Sequence, residues 1–153
     1  MHQNNSMKKL TTFFVSLLYS TMCLFGQSVY DQTLAPFYHG VASGDPLPDR
    51  VIIWTRVTPN NNQTTIPVLW QIATDTTFEN ITNYGIVTTN SNKDYTVKAD
   101  PEHLAANTYY FYRFYALGKY SMVGRTKTAP DPAASPNNVR FAVASCAEFS
   151  NGY

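Results

Sequence analysis

The sequence predicts an all-β fold, an antiparallel sandwich of two sheets, and three observations carry that expectation. Seven short runs with strand character fall between Phe37 and Thr128, each bounded by Gly, Pro, Asn or Asp. Aromatic residues make up 14% of the chain, with 11 Tyr and 9 Phe, a composition that suits pleated, half-buried surfaces. No stretch among these runs repeats its apolar residues at helical spacing, whereas several alternate at period two.

The elements follow in order. Phe37 to Val41 is a short apolar run that stops at Ser43 to Asp49 (SGDPLPD), where Gly44, Pro46 and Pro48 enforce turns. Arg50 to Val57 (RVIIWTRV) is a β-branched and aromatic strand, and Thr58 to Thr65 a polar loop. In Val68 to Thr74 (VLWQIAT), Leu69, Gln71 and Ala73 face one way and Val68, Trp70, Ile72 and Thr74 the other, so one face is placed on a core. Asp75 to Asn80 reads as a loop or short helical turn, Tyr84 to Thr89 as a strand, Asn90 to Lys93 as a polar turn, and Tyr95 to Ala99 as another strand. In Leu104 to Ala116 (LAANTYYFYRFYA), Tyr110, Tyr112, Phe114 and Ala116 share one face, and Phe111, Arg113 and Tyr115 the other. Leu104, Thr108 and Tyr110 form an L-x-x-x-T-x-Y pattern, in which sandwich domains bond the Tyr hydroxyl back to the backbone at a sheet corner. Gly118 turns the chain into the last strand, Met122 to Thr128. The L-x-x-x-T-x-Y stretch resembles the fibronectin type III module of the immunoglobulin-like sandwiches, with Ala106 where that family usually has proline.

Outside this region the chain changes character. Lys8 and Lys9 precede the uncharged run Leu10 to Phe25, which is short for a membrane span of about 20 residues. Positive residues, an apolar core and a small residue, Gly26, before polar Gln27 describe a secretory signal peptide over residues 1–26. The expected destination is secreted or periplasmic, with no membrane attachment after cleavage. Cys23 does not suit lipoprotein processing, because bulky Met22 precedes it. Residues 27–36 read as a mobile N-terminal arm, 37–128 as the β domain, and 129–138 (APDPAASPNN) as a semi-rigid linker with three prolines. Residues 139–153 (VRFAVASCAEFSNGY) open a new unit with an apolar strand ending at Cys146. Cleavage near Gly26 leaves Cys146 as a lone thiol without an internal disulfide partner.

The candidates for chemistry are few. Net charge is +1 and no basic block occurs, so no nucleic-acid-binding surface is expected. His2, His39 and His103 lie far apart in sequence and lack metal-ligand spacing. Asp45 and Asp49 beside prolines read first as turn residues. Ser43 and Ser145 have no nucleophile-elbow context. Asn62-Gln63-Thr64 and Asn80-Ile81-Thr82 match the glycosylation sequon, which matters only in a eukaryotic secretory route. Phe111 and Tyr115 suit packing, a sugar-binding face or an interdomain face. Cys146, at the end of a strand and followed by Glu148 and Gly152, can serve as a nucleophile or a soft metal ligand, or lie inert and buried.

Taken together, FYHGVASGDPLPDRVIIWTRVTP (37–59), VLWQIATD (68–75), YTVKAD (95–100), TYYFYRFYALGKYSMVGRTKTAP (108–130) and RFAVASC with its trailing NGY (140–153) resemble the alkaline phosphatase D family. The resemblance implies an exported, metal-dependent phosphodiesterase and phosphomonoesterase acting on phosphate esters. It also implies a fibronectin type III-like domain ahead of an α/β metallophosphatase domain that holds iron and calcium. Cys146 matches the family's metal ligand at the end of the first catalytic strand. Ala147, Glu148 and Phe149 depart from the Gln-x-Tyr often found after that cysteine. The remaining ligands have no counterpart in this sequence. The expectation is therefore an N-terminal portion, truncated after the first strand of the catalytic domain, inactive alone and binding no iron or calcium itself. The alternative is a stand-alone secreted fibronectin-like binding or adhesion module.

Overall fold

The computed structural model describes residues 31–60, 64–135 and 138. The predicted signal peptide, the first part of the predicted arm, the strand at 139–145 and Cys146 lie outside the described residues. Eight strands occur among those described: β1 (Val41–Gly44), β2 (Ile52–Arg56), β3 (Thr65–Ala73), β4 (Ile81–Asn90), β5 (Thr96–Ala99), β6 (Tyr109–Ala116), β7 (Lys119–Tyr120) and β8 (Gly124–Lys127). Among the described residues the helical segments are two short 3-10 turns, Gln32–Leu34 ahead of β1 and Ser91–Lys93 between β4 and β5. All strand pairings are antiparallel. One sheet has the order β1-β2-β5; the other runs β4-β3-β6-β7, with β8 also pairing β6. The predicted all-β, two-sheet sandwich is thus what the described residues form.

The core is built from one face of each sheet. Ile53 and Thr55 of β2 and Val97 and Ala99 of β5 face Ile66, Val68, Trp70 and Ile72 of β3 and Tyr110, Tyr112, Phe114 and Ala116 of β6. These are the residues that period-two alternation selects, because successive strand side chains point to opposite faces. Burying each large side chain stabilises the fold by about 1.5–3 kcal/mol. Two threonines sit in this core without loss: Thr55 donates to the Gly40 carbonyl at 2.8 Å, and Thr89 to that of Thr96 at 2.7 Å.

Tyr110 closes the predicted corner. Its hydroxyl accepts the Ala105 N–H at 2.8 Å, while Leu104 is buried beside it. Leu117 and Gly118, with φ of 51° and 80°, form the two-residue hairpin loop between β6 and β7. Positive φ at both positions matches the twist of the flanking strands and is easiest for glycine.

Several expectations need correction. The strand predicted at 37–41 begins only at Val41 and continues to Gly44, where Ala42 to Gly44 pair with Ile52 to Trp54. Phe37 is instead a buried plug after a tight turn, with the Gly40 N–H bonded to its carbonyl at 2.9 Å. The predicted mobile arm is anchored at its end: Pro36 is buried, and its carbonyl accepts the Thr58 N–H at 2.8 Å. β4 is longer than the predicted 84–89, because pairing with β3 carries it from Ile81 to Asn90. The predicted last strand, 122–128, is shorter, since β8 covers only Gly124–Lys127; the separate two-residue β7 precedes it, and between them buried Ser121 accepts the Phe114 N–H on its hydroxyl at 3.0 Å.

Candidate functional site

The H-G-V-A-S-G-D-P stretch folds into β1 and the turn that follows it. Asp45 adopts φ of 49°, a left-handed conformation that Asp tolerates better than most residues. The turn then closes with the Leu47 N–H on the Arg50 carbonyl at 2.9 Å. Arg50 gathers three carboxylates. Its guanidinium lies 3.3 Å from Asp49 Oδ1 and 3.5 Å from Asp100 Oδ2, and it also bonds Glu102 Oε1. The Arg50 hydrogen bond holds the Asp49 carboxyl below its ordinary range, and Asp49 raises the guanidinium in return. Asp49 is therefore a committed ion-pair partner and ill suited to proton transfer near neutral pH.

A second charged cluster lies at Arg56 on β2. The guanidinium reaches Asp94 Oδ1 at 2.7 Å and the Asp94 carbonyl at 3.0 Å, while His39 Nε2 sits 2.6 Å from Nη1. A guanidinium only donates, so His39 Nε2 is the acceptor in this contact. The cluster ties the turn at 91–95 to β2. His39 and His103 are not brought together in any metal-binding group. Among the described residues no three His, Cys, Asp or Glu side chains form a group able to hold a metal ion. Iron or calcium therefore has no fitting ligand set in the described domain. Ser43 lies on β1 next to Tyr112; burial pushes the Tyr112 hydroxyl up, with the Ser43 hydrogen bond opposing.

The outer face of the larger sheet carries the other concentration of side chains. Arg113 is sandwiched between the Phe78 ring at 3.9 Å and the Tyr120 ring at 4.0 Å, and its Nε donates to Gln71 Oε1 at 2.9 Å. Tyr115 packs on Tyr120 with centroids 4.7 Å apart. Farther across the face, Tyr84 and Ile86 of β4 are each 69% exposed. Phe111 is half-buried on this face and Tyr115 exposed, so the sequence alternation that grouped them with Arg113 holds. Phe78, Tyr84, Ile86 and Tyr120 escaped that reading. The alternation of Tyr84 and Ile86 was the available signal for two of them, whereas Phe78 comes from a loop. An aromatic and arginine face of this kind suits macromolecular contact and has no catalytic arrangement.

The chain leaves the domain through a polar knot. Buried Thr128 donates its hydroxyl to the Ala105 carbonyl at 2.7 Å and accepts the Thr108 N–H at 3.0 Å. The Ala129 N–H then bonds the Leu47 carbonyl at 3.1 Å, and the Ala129 carbonyl accepts the Asn107 N–H at 2.9 Å. The predicted linker thus starts with its first residue held against both the 45–49 turn and the tyrosine corner. No helix among the described residues is long and apolar enough to cross a membrane.

Comparison with known proteins gives three concordant results. Residues 26–130 match the family model described as PhoD-like phosphatase, N-terminal domain. Over 124 residues the chain is 38% identical to alkaline phosphatase D of Bacillus subtilis (strain 168); the match takes in 77% of this chain and 21% of that protein. The chain thus spans about a fifth of the length of the curated relative it matches. A solved structure of PhoD superposes with a TM-score of 0.64 at 36% identity, covering 72% of this chain and 22% of that one.

Proposed function

The chain belongs to the PhoD-like phosphatase family through its N-terminal domain, and we propose that it is the accessory β-domain portion of an exported, metal-dependent phosphoric ester hydrolase. The observation that carries this reading is the family match over residues 26–130, which coincides with the sandwich and ends at Pro130, just past its polar knot. In this reading hydrolysis of phosphate mono- and diesters belongs to polypeptide beyond the sandwich. Cys146 is a proposed metal ligand at the start of that part, and iron and calcium are the proposed metals of a complete member. Lys8, Lys9 and the apolar run Leu10 to Phe25 support export by a cleaved signal.

The described residues supply ion pairs, turns and an aromatic face, and no arrangement of nucleophile, base and oxyanion donor. Toward the chain that follows, they hold Ala129 by both its N–H and its carbonyl. A lone thiol such as Cys146 cannot assemble a multi-metal centre, which needs several carboxylate and imidazole ligands. The purified 153-residue chain, supplied with iron and calcium, is therefore expected not to turn over nitrophenyl phosphate mono- or diesters. Metal-dependent turnover by this chain would sink the assignment of catalysis to polypeptide beyond the sandwich. Sequencing downstream of the Tyr153 codon provides the genetic test: Asp, Asn and His motifs in a continuation support the reading, and unrelated sequence after a clean terminator opposes it.

A further inference from the structure

The molecule treats its sheet edges unequally. β1 and β5 are four residues each, and β5 carries Lys98. β7 is two residues long and includes Lys119, and β8 carries Arg125 and Lys127. Short strands and charges are the usual means by which proteins discourage edge-to-edge pairing. β4 has neither. It is ten residues long, ITNYGIVTTN, with no charged residue and no proline, and among the described residues it pairs only with β3.

Two backbone groups of β4 are already engaged, the Tyr84 N–H and the Asn90 carbonyl, which accepts the Tyr95 N–H at 2.9 Å; the N–H groups of Ile86 and Thr88 and the Tyr84 carbonyl are the ones a pairing strand would meet. Tyr84 pairs in register with Gln71 of β3, yet its N–H is bonded to the Asn83 side chain at 2.8 Å. The N–H of Tyr84 therefore points away from β3, and period two places those of Ile86 and Thr88 on the same edge. The same three residues have exposed side chains on the outer face, with Tyr84 and Ile86 each 69% exposed.

We infer that β4 is a pairing edge through which two copies of this chain associate, strand against strand, about a two-fold axis at Gly85. Antiparallel pairing about that axis is self-complementary and closes as a dimer, with each Ile86 N–H donating to the partner's Tyr84 carbonyl while the Tyr84 N–H keeps its Asn83 bond. It sets each Tyr84 opposite the partner's Ile86, an aromatic and β-branched cross-strand pair made twice. On the inner face Gly85 meets only its copy, which leaves undisturbed the space where the Trp70 indole lies across it. The absence of charge in β4 means that no like charges oppose one another and that the association is insensitive to salt.

The test is light scattering after size exclusion on the full 153-residue chain over a concentration series, with its mass in denaturant as the monomer reference. A concentration-dependent dimer is expected. Ile86→Lys, which places a charge beside the axis twice, should weaken it at least about tenfold. Thr88→Pro, which removes an outward N–H, should weaken it as well, whereas Tyr120→Lys, on the far side of the same sheet, should leave it intact. Near-UV circular dichroism checks that each variant folds. Amide exchange on the unsubstituted chain supplies a readout independent of variants: the Ile86 and Thr88 N–H groups should slow as concentration rises. A monomer at every concentration would overturn the inference. So would a dimer that survives both β4 substitutions, a dimer lost equally in Tyr120→Lys, or exchange at Ile86 and Thr88 that ignores concentration.

Discussion

Gly124 opens β8 directly opposite Tyr112, and the tyrosine ring occupies the space where a side chain would stand. A Cβ at position 124 would lie 2.3 Å from Tyr112 Cζ and 2.6 Å from both Cε1 and the hydroxyl oxygen. Ordinary contact begins at 3.4 Å, so the ring or strand would have to yield by 3.4 − 2.3 = 1.1 Å. The ring has little room to yield. Tyr112 is 2% exposed and packs edge-on against Phe114 at 6.3 Å. Gly124→Ala should therefore incur an overpacking cost of about 1–3 kcal/mol. The smaller conformational entropy of alanine in the unfolded chain offsets about 0.4–1 kcal/mol of this. A net loss of about 1–2 kcal/mol corresponds to a drop of about 5–15 °C in Tm for a domain of this size. Thermal and urea unfolding followed by circular dichroism measure it. The cause is isolated by a double-mutant cycle: in a Tyr112→Leu background the ring is gone, and Gly124→Ala should cost at least about 1 kcal/mol less. A Gly124→Ala chain within about 0.5 kcal/mol of the parent, or a cost that persists in the Tyr112→Leu background, would refute the steric account.

Other perturbations probe the polar groups. Thr128→Val keeps the shape but strands the Thr108 N–H and the Ala105 carbonyl, so urea unfolding should show a loss of about 1–3 kcal/mol. Tyr110→Phe removes the corner hydrogen bond, where Ala105 lies near solvent, and the same measurement should register about 1 kcal/mol. The Thr77 hydroxyl, followed by the Asn80 and Glu79 N–H groups, holds the Asp75 carboxyl well below its ordinary 3.8. A depressed folded-state pKa contributes stability above the unfolded value, so this component should be present above pH 3.8 and fade as pH falls below it. Asp75→Asn should lack that acid-dependent component in urea titrations at a series of pH values, and carboxyl NMR should find Asp75 still ionised when other aspartates have protonated.

The legible parts of the fold were those in which one side chain reports one face. β3 and β6 alternate large apolar residues with polar or exposed ones, and their burial follows the alternation from Ile66 to Ile72 and from Tyr110 to Ala116. The tyrosine corner was legible for a different reason, since its local spacing fixes a hydrogen bond. β1 was not, because Ala42, Ser43 and Gly44 have weak strand preference and owe their conformation to pairing with β2. The same tertiary pairing extends β4 through polar Thr82 and Asn83. At the outer face, alternation placed Arg113 between Phe111 and Tyr115, but the rings that sandwich it come from positions 78 and 120, brought there by a loop and a hairpin. Contacts distant in sequence leave no periodic trace. The family was legible because the 37–59 stretch is a long, specific match, while Cys146 lies outside the described residues and its role stays a proposal.

The bonds on either side of Ala129 have a mechanical consequence. Its N–H and carbonyl are both held, one by the 45–49 turn and one by Asn107, so torsion applied from beyond the domain meets its first swivel at Pro130. Proline fixes φ there, so little rotation is taken up at that residue's N–Cα bond. Tension that reaches Ala129 is thus delivered to the Leu47 turn and the tyrosine corner together, which makes that end of the sandwich the place where it would be borne first.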